Sequence, residues 1–99
     1  MDKKTEAFLV ELKNICPKCE IEYILEKSLH KFRFKREYHP HCWLYIESEF
    51  FSDNSLQELI MALTNQEKFE TFINSPQNTW LFLTKGGINK VDENFCKNY

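Results

Sequence analysis

Between Lys31 and Phe51 the chain reads KFRFKREYHPHCWLYIESEFF, and its side chains sort into two faces with a period of two residues. Phe32, Phe34, Arg36 and Tyr38 fall on one face, and Lys31, Arg33, Lys35 and Glu37 on the other. Beyond His39-Pro40-His41, Cys42, Leu44, Ile46, Ser48 and Phe50 share a face, and Trp43, Tyr45, Glu47, Glu49 and Phe51 take the opposite one. Successive Cβ atoms of a strand point to opposite sides, so this pattern predicts strands with one face in a core. Two such runs around a proline-containing break predict an antiparallel hairpin over 31–51. The hairpin is the expected centre of the fold.

The flanking segments supply partners for it. Thr5 to Ile15 has Phe8, Leu12 and Ile15 at helical spacing, with Asp2 or Thr5 as the cap and Pro17 as the stop. Glu20 to Leu29 fits a strand and a helix equally by period. The strand is preferred, because it sets Glu20, Glu22 and Glu26 beside Lys31, Arg33 and Lys35, with Glu47 and Glu49 beyond. Opposite charges on neighbouring strands contribute about 0.2–1 kcal/mol per pair. The turn it requires, Lys27-Ser28-Leu29-His30, contains no Gly, Asn or Pro. Ser55 with Glu58 is a capping box, and Leu56, Leu59, Ile60 and Leu63 follow as an amphipathic helix. Thr64 with Glu67 is a second box, ahead of a short helix carrying Phe69, Phe72 and Ile73. Thr79 to Thr84 reads as a strand, Lys85-Gly86-Gly87 as a turn, and Ile88 to Val91 as a short return strand. Asp92 to Tyr99 is a tail in which Phe95 is the residue able to tuck in.

Residues 1–99 are therefore expected to form a single α+β domain: an N-terminal helix, an antiparallel sheet of three to five strands centred on the 31–51 hairpin, and two central helices packed on one face. A composition 42% hydrophobic and 28% charged is that of a globular chain and not of a disordered one. Abundant Lys, Asn, Ile and Phe with two Gly suggest an AT-rich genome. The net charge of −2 gives no whole-protein attraction to nucleic acid or anionic membrane. No apolar run approaches the ~18 residues of a membrane span, and acids interrupt the apolar part of the N-terminus. The expected location is cytoplasmic, with thiols mostly reduced.

Against that background the cysteines carry the most specific chemistry. Cys16-Pro17-Lys18-Cys19 and His39-Pro40-His41-Cys42 are two knuckles whose Cys16, Cys19, His39 and Cys42 supply a tetrahedral ligand set for zinc, with His41 or Cys96 as substitutes. In spacing this is similar to zinc-ribbon and CCHC zinc modules, although Glu20 and Trp43 stand where those knuckles commonly have Gly. The competing reading is burial, since Cys is among the most buried residue types. CPKC also resembles the redox pair of glutaredoxin-like proteins. That resemblance implies a strand before the pair and a helix after it, which this chain does not offer. It also implies a proline directly before Thr79-Trp80, where Asn78 stands.

The remaining signals concern surfaces. Trp43, Tyr45 and Phe51 share a face with Glu47 and Glu49, and aromatics among charges have the composition of a protein–protein hot spot. The competing reading is that the C-terminal segment covers them. Glu47, Glu49, Asp53, Glu58, Glu67 and Glu70 make one acidic region, and Lys27, Lys31, Arg33, Lys35 and Arg36 a basic one, a split that can steer a charged partner. No Gly-rich phosphate loop, H-E-x-x-H or G-x-S-x-G motif is present. The expected function is non-enzymatic binding of another protein, in the manner of a small phage or bacterial inhibitor, immunity protein or adaptor. Trp43, Tyr45, Glu47, Glu49 and Phe51 are the expected contact residues, no cofactor is expected, and neither nucleic acid nor membrane is an expected partner. The alternative is a zinc-stabilised module associated with nucleic acid. A third is a thiol–disulfide oxidoreductase using Cys16 and Cys19.

Overall fold

The computed structural model describes residues 2–64 and 68–98. Its elements in order are α1 (Lys3–Ile15), β1 (Glu20–Glu26), β2 (Leu29–Lys35), β3 (Cys42–Glu47), α2 (Ser48–Asp53), α3 (Leu56–Thr64), α4 (Lys68–Ile73), β4 (Thr79–Thr84) and β5 (Gly87–Val91), closed by a 3₁₀ turn over Phe95–Asn98. The five strands form one sheet in sequence order. The expected α+β architecture stands, with an N-terminal helix and two packed central helices. In one respect the sheet differs from expectation: β3 and β4 run parallel, so it is mixed. Parallel neighbours need a long crossover, and α2, α3 and α4 supply it.

The period-two pattern does what it predicts across β2 and β3. Phe32 lies opposite Leu44 and Phe34 opposite Cys42. Their side chains enter one core with Ile46, Leu81 and Leu83 of the sheet, Phe8 and Leu12 of α1, Leu59 and Leu63 of α3, and Phe69 and Ile73 of α4. Asp2 caps α1 by accepting from the Thr5 amide at 2.7 Å, and this bond holds its carboxyl below the usual range. The Ser55–Glu58 box closes in both directions, at 3.0 and 3.1 Å, and likewise lowers the Glu58 pKa. The second expected box, Thr64 with Glu67, falls partly outside the described residues.

Within the segment 20–29, Glu20–Glu26 is a strand, joined to β2 by a two-residue turn. Lys27 and Ser28 hold φ of 52° and 64°, the left-handed values that a type I′ hairpin turn demands. Such turns usually carry Asn or Gly, which explains why composition did not signal this one.

A larger correction concerns 48–51. The strand expected to reach Phe51 stops at Glu47, and Ser48 begins a helix. The cause is the length of the neighbour. Glu47 pairs with Leu29, the first residue of β2. Beyond it the Ser48 amide donates to the Ser28 carbonyl of the turn at 2.9 Å, and β2 offers nothing further to pair with. Among the described residues no helix is long and apolar enough to cross a membrane.

Candidate functional site

The sheet face away from the helices carries two neighbouring cross-strand rows. The first runs Glu22, Arg33, Trp43, Trp80, Val91 over all five strands in register. The first three of its four steps are recognisable side-chain contacts. Glu22 pairs with the Arg33 guanidinium at 3.5 Å. That guanidinium lies 5.4 Å from the centre of the Trp43 ring, a cation–π distance. Trp43 and Trp80 stack with centroids 5.0 Å apart and planes 8° from parallel. Both indoles remain half-buried.

The Arg33 end is fixed from a second direction. His41 Nδ1 accepts from Arg33 Nε at 3.0 Å and from Nη2 at 2.6 Å. A ring nitrogen that accepts carries no proton, so His41 is neutral with its proton on Nε2. Burial, Arg33 and Lys35 all push its pKa down, and Glu22 opposes them. The ring packs 5.7 Å from Trp43, and the His41 amide donates to Asn78 Oδ1 at 2.9 Å.

The second row runs Ile24, Lys31, Tyr45, Phe82, Asn89. Here the tail intervenes. Phe95 sits 6.0 Å from the Tyr45 ring and 4.8 Å from that of Phe82. Tyr45 is buried, which pushes its phenol pKa up. An open groove of about 470 Å³ remains between this tail and β1–β3, bordered by Ile24, Lys31, Arg33, Trp43, Glu93 and Cys96. The basic side chains of β2 are paired with β1, Lys31 with Glu26 at 3.1 Å and Lys35 with Glu22 at 3.6 Å.

The five expected contact residues therefore separate. Trp43 is half-buried in the first row. Tyr45 lies under the tail. Glu47 ends β3 half-buried, and Glu49 is exposed on α2; both border a recess of about 290 Å³ with Phe50, Asp53 and Phe82. Phe51 is a correction. It is 3% exposed and packs edge-on to Phe8 at 5.6 Å and against His30 at 4.2 Å, inside the core. The helical turn after Glu47 rotates it away from the face that strand alternation gave it. Trp80 was not among the expected contact residues. The alternation within TWLFLT puts Trp80 and Phe82 on one face, but only the parallel register brings Trp80 to Trp43.

Of the cysteine expectations, the structure overturns the one that Cys16 and Cys19 are reduced. Cys16 and Cys19 form a disulfide and are not free thiols. The pair follows α1 and precedes β1, the reverse of the arrangement in which a helix N-terminus lowers a thiol pKa. Cys42 lies in the core, where burial pushes its thiol up to about 12. His39 is exposed in the loop. Among the described residues no three or more His, Cys, Asp or Glu side chains are grouped to hold a metal ion, so Cys16, Cys19, His39 and Cys42 are not gathered into one site.

Compared with protein-family models, with curated proteins and with solved structures, the chain matches none.

Proposed function

We propose that the protein acts by binding another protein through the uncovered row of its outer sheet face, centred on Trp43, Trp80 and Arg33. The observation that carries this reading is the ladder itself. Two indoles and a guanidinium are locked in one geometry by stacking, cation–π contact and the His41 bonds, and are still half-buried. Trp and Arg are enriched among residues that dominate binding energy. Side chains already fixed in position lose little rotamer freedom on association.

The same geometry favours protein over nucleic acid. A base needs an open ring face to stack on. Trp43 has Arg33 over its ring and Trp80 stacked on it, so its own faces are already occupied. Lys31, Arg33 and Lys35 are already paired with Glu22 and Glu26 and so offer phosphates little uncompensated charge.

The test is affinity capture with the tagged chain, followed by titration of the purified partner. Trp43→Ala and Trp80→Ala are each expected to weaken Kd ~30-fold, equivalent to ~2 kcal/mol, with far-UV circular dichroism unchanged. Unaltered affinity in both folded variants would overturn the proposal.

A further inference from the structure

We infer that the Cys16–Cys19 disulfide is a redox switch: a dithiol reductant attacks it at Cys16, and the reduced pair loosens the corner between α1 and β1. The inference does not rest on the sheet-face reading. The bond closes a loop with only Pro17 and Lys18 between its ends. The stabilisation a disulfide gives grows with the loop it closes, so this one gives little. The backbone already keeps the two residues together. The Cys16 amide donates to the Leu12 carbonyl at 2.9 Å, the Cys19 amide to the Cys16 carbonyl at 3.1 Å, and Lys13 Nζ to the Cys19 carbonyl. A bond the fold hardly needs, between residues the backbone holds adjacent, is set to open and close again. In a reducing compartment the disulfides that do form are mostly transient or redox-sensing.

The two cysteines are not equally reachable. Cys19 is 0% exposed, whereas Cys16 is 9% exposed and borders an open recess of about 320 Å³. Lys18, Arg36 and Glu70 lie on its rim, two cations against one carboxylate, a balance that favours an incoming thiolate. The reductant's thiolate bonds to Cys16 Sγ as the Cys16–Cys19 bond breaks, and Cys19 leaves with the electron pair and takes up a proton. The reductant's second thiolate then attacks its own sulfur in the mixed disulfide and releases Cys16, which is protonated in turn. The pair gains two electrons and two protons, and the dithiol departs as its disulfide. Cys16 stands at the C-terminal cap of α1, the wrong end of a helix to activate a thiolate, so the pair receives electrons in this exchange and does not attack substrates of its own.

Reduction has a structural consequence because two sulfurs that are no longer bonded need more room. Cys19 is enclosed in the close-packed core, which does not yield. Cys16 stands at the edge of that core beside the recess, so the displacement falls on it. It caps α1, and Ile73 of α4 borders the same recess. The reduced form therefore loosens the last turn of α1 and the neighbouring side of α4, and leaves the Trp43–Trp80 row in place.

The test equilibrates the purified full chain in glutathione buffers from cytosol-like to oxidising ratios, then traps thiols by alkylation and locates them by peptide mass spectrometry. Cys16 and Cys19 are expected to pass together from thiols to disulfide within that range. A pair that stays oxidised throughout is a structural staple, and a pair that stays reduced throughout is no switch; either result would overturn the inference. A thioredoxin that lacks its resolving cysteine should be captured on Cys16. Capture on Cys19, or none, would overturn it. Hydrogen exchange then compares the two forms. On reduction, amides over 13–19 and in α4 are expected to exchange about tenfold faster, with Tm lower by a few degrees at most. The chain carrying both Cys16→Ser and Cys19→Ser should match the reduced form in every buffer. Three outcomes sink the switch: identical exchange in the two forms, protection lost across the whole sheet on reduction, or exchange in the double variant that still follows the buffer.

Discussion

The two rows on the outer face of the sheet have the same construction and different fates. Each runs across five strands, and each has two aromatic rings on β3 and β4. In the Tyr45–Phe82 row the tail comes back over the sheet, and Phe95 covers both rings. In the Trp43–Trp80 row the rings cover one another instead, with Arg33 at one end. One row is a small second core, and the other is rigid without being buried. Neighbouring aromatics with the same strand parity can thus be structural or available, and what distinguishes them is a segment far along the chain.

Phe51 sharpens that contrast most. Strand parity groups it with Trp43 and Tyr45, but it is a core residue. Phe51→Ala is expected to cost about 3–5 kcal/mol, the usual range for emptying a buried aromatic site. Urea unfolding monitored by circular dichroism measures it. A loss below ~1 kcal/mol would return Phe51 to the surface. Phe95→Ala comes next. Phe95 is half-buried, so a loss of about 1–3 kcal/mol is expected from partial uncovering of Tyr45 and Phe82. If stability does not change, the tail does not seal that row, and the contrast between the rows collapses.

What the sequence showed and what it hid divides along physical lines. Strand periodicity is local, so the inward set of Phe32, Phe34, Leu44 and Ile46 was legible, as was the Ser55–Glu58 cap. The helix over Ser48–Asp53 was not, because its cause is the end of β2 in another part of the chain. The Trp43–Trp80 stack depends on a parallel register across a three-helix crossover, which no local pattern encodes. The Lys27–Ser28 turn was hidden because its residues are unusual for their φ values. Of the candidate site, Trp43 was legible and Trp80 was missed; cover over Tyr45 was one of two open readings, and Phe51 was placed on a strand where the chain has already turned helical.

The two structured histidines give a pH test of the same division. His30 is 6% exposed, its Nδ1 is 2.7 Å from Tyr23 Oη, and burial lowers its pKa. Its folded pKa is below its unfolded value of ~6.5. The folded state therefore binds fewer protons, and stability rises with pH. The contribution is complete above pH ~6.5 and declines as pH falls from there toward the lower folded value. His41 shifts in the same direction, but it sits in the open row, where protonation removes the acceptor for Arg33. His30→Phe is expected to remove most of the fall in Tm below about pH 6.5, whereas His41→Asn leaves most of it. The opposite ranking would mean that the open row, and not the core side of β2, carries the pH sensitivity.

The smallest expected effect asks what keeps the open row rigid. Glu22 pairs with both Arg33 and Lys35, at 3.5 and 3.6 Å, but its side chain is half exposed. Exposed pairs of this kind contribute about 0.2–1 kcal/mol and fade as salt screens them. Glu22→Gln should therefore lower stability by no more than that at low salt, and by nothing measurable near 1 M salt. Its near-UV circular dichroism should match wild type, because the indole stack and the two bonds to His41 still fix Arg33 and Trp43. Trp80→Phe should change that spectrum even where Tm barely moves. A Glu22→Gln spectrum that resembles Trp80→Phe would mean that the ion pair orders the ladder from the β1 edge. The row would then be an electrostatic assembly that loosens with salt, and partner binding through it would weaken in parallel.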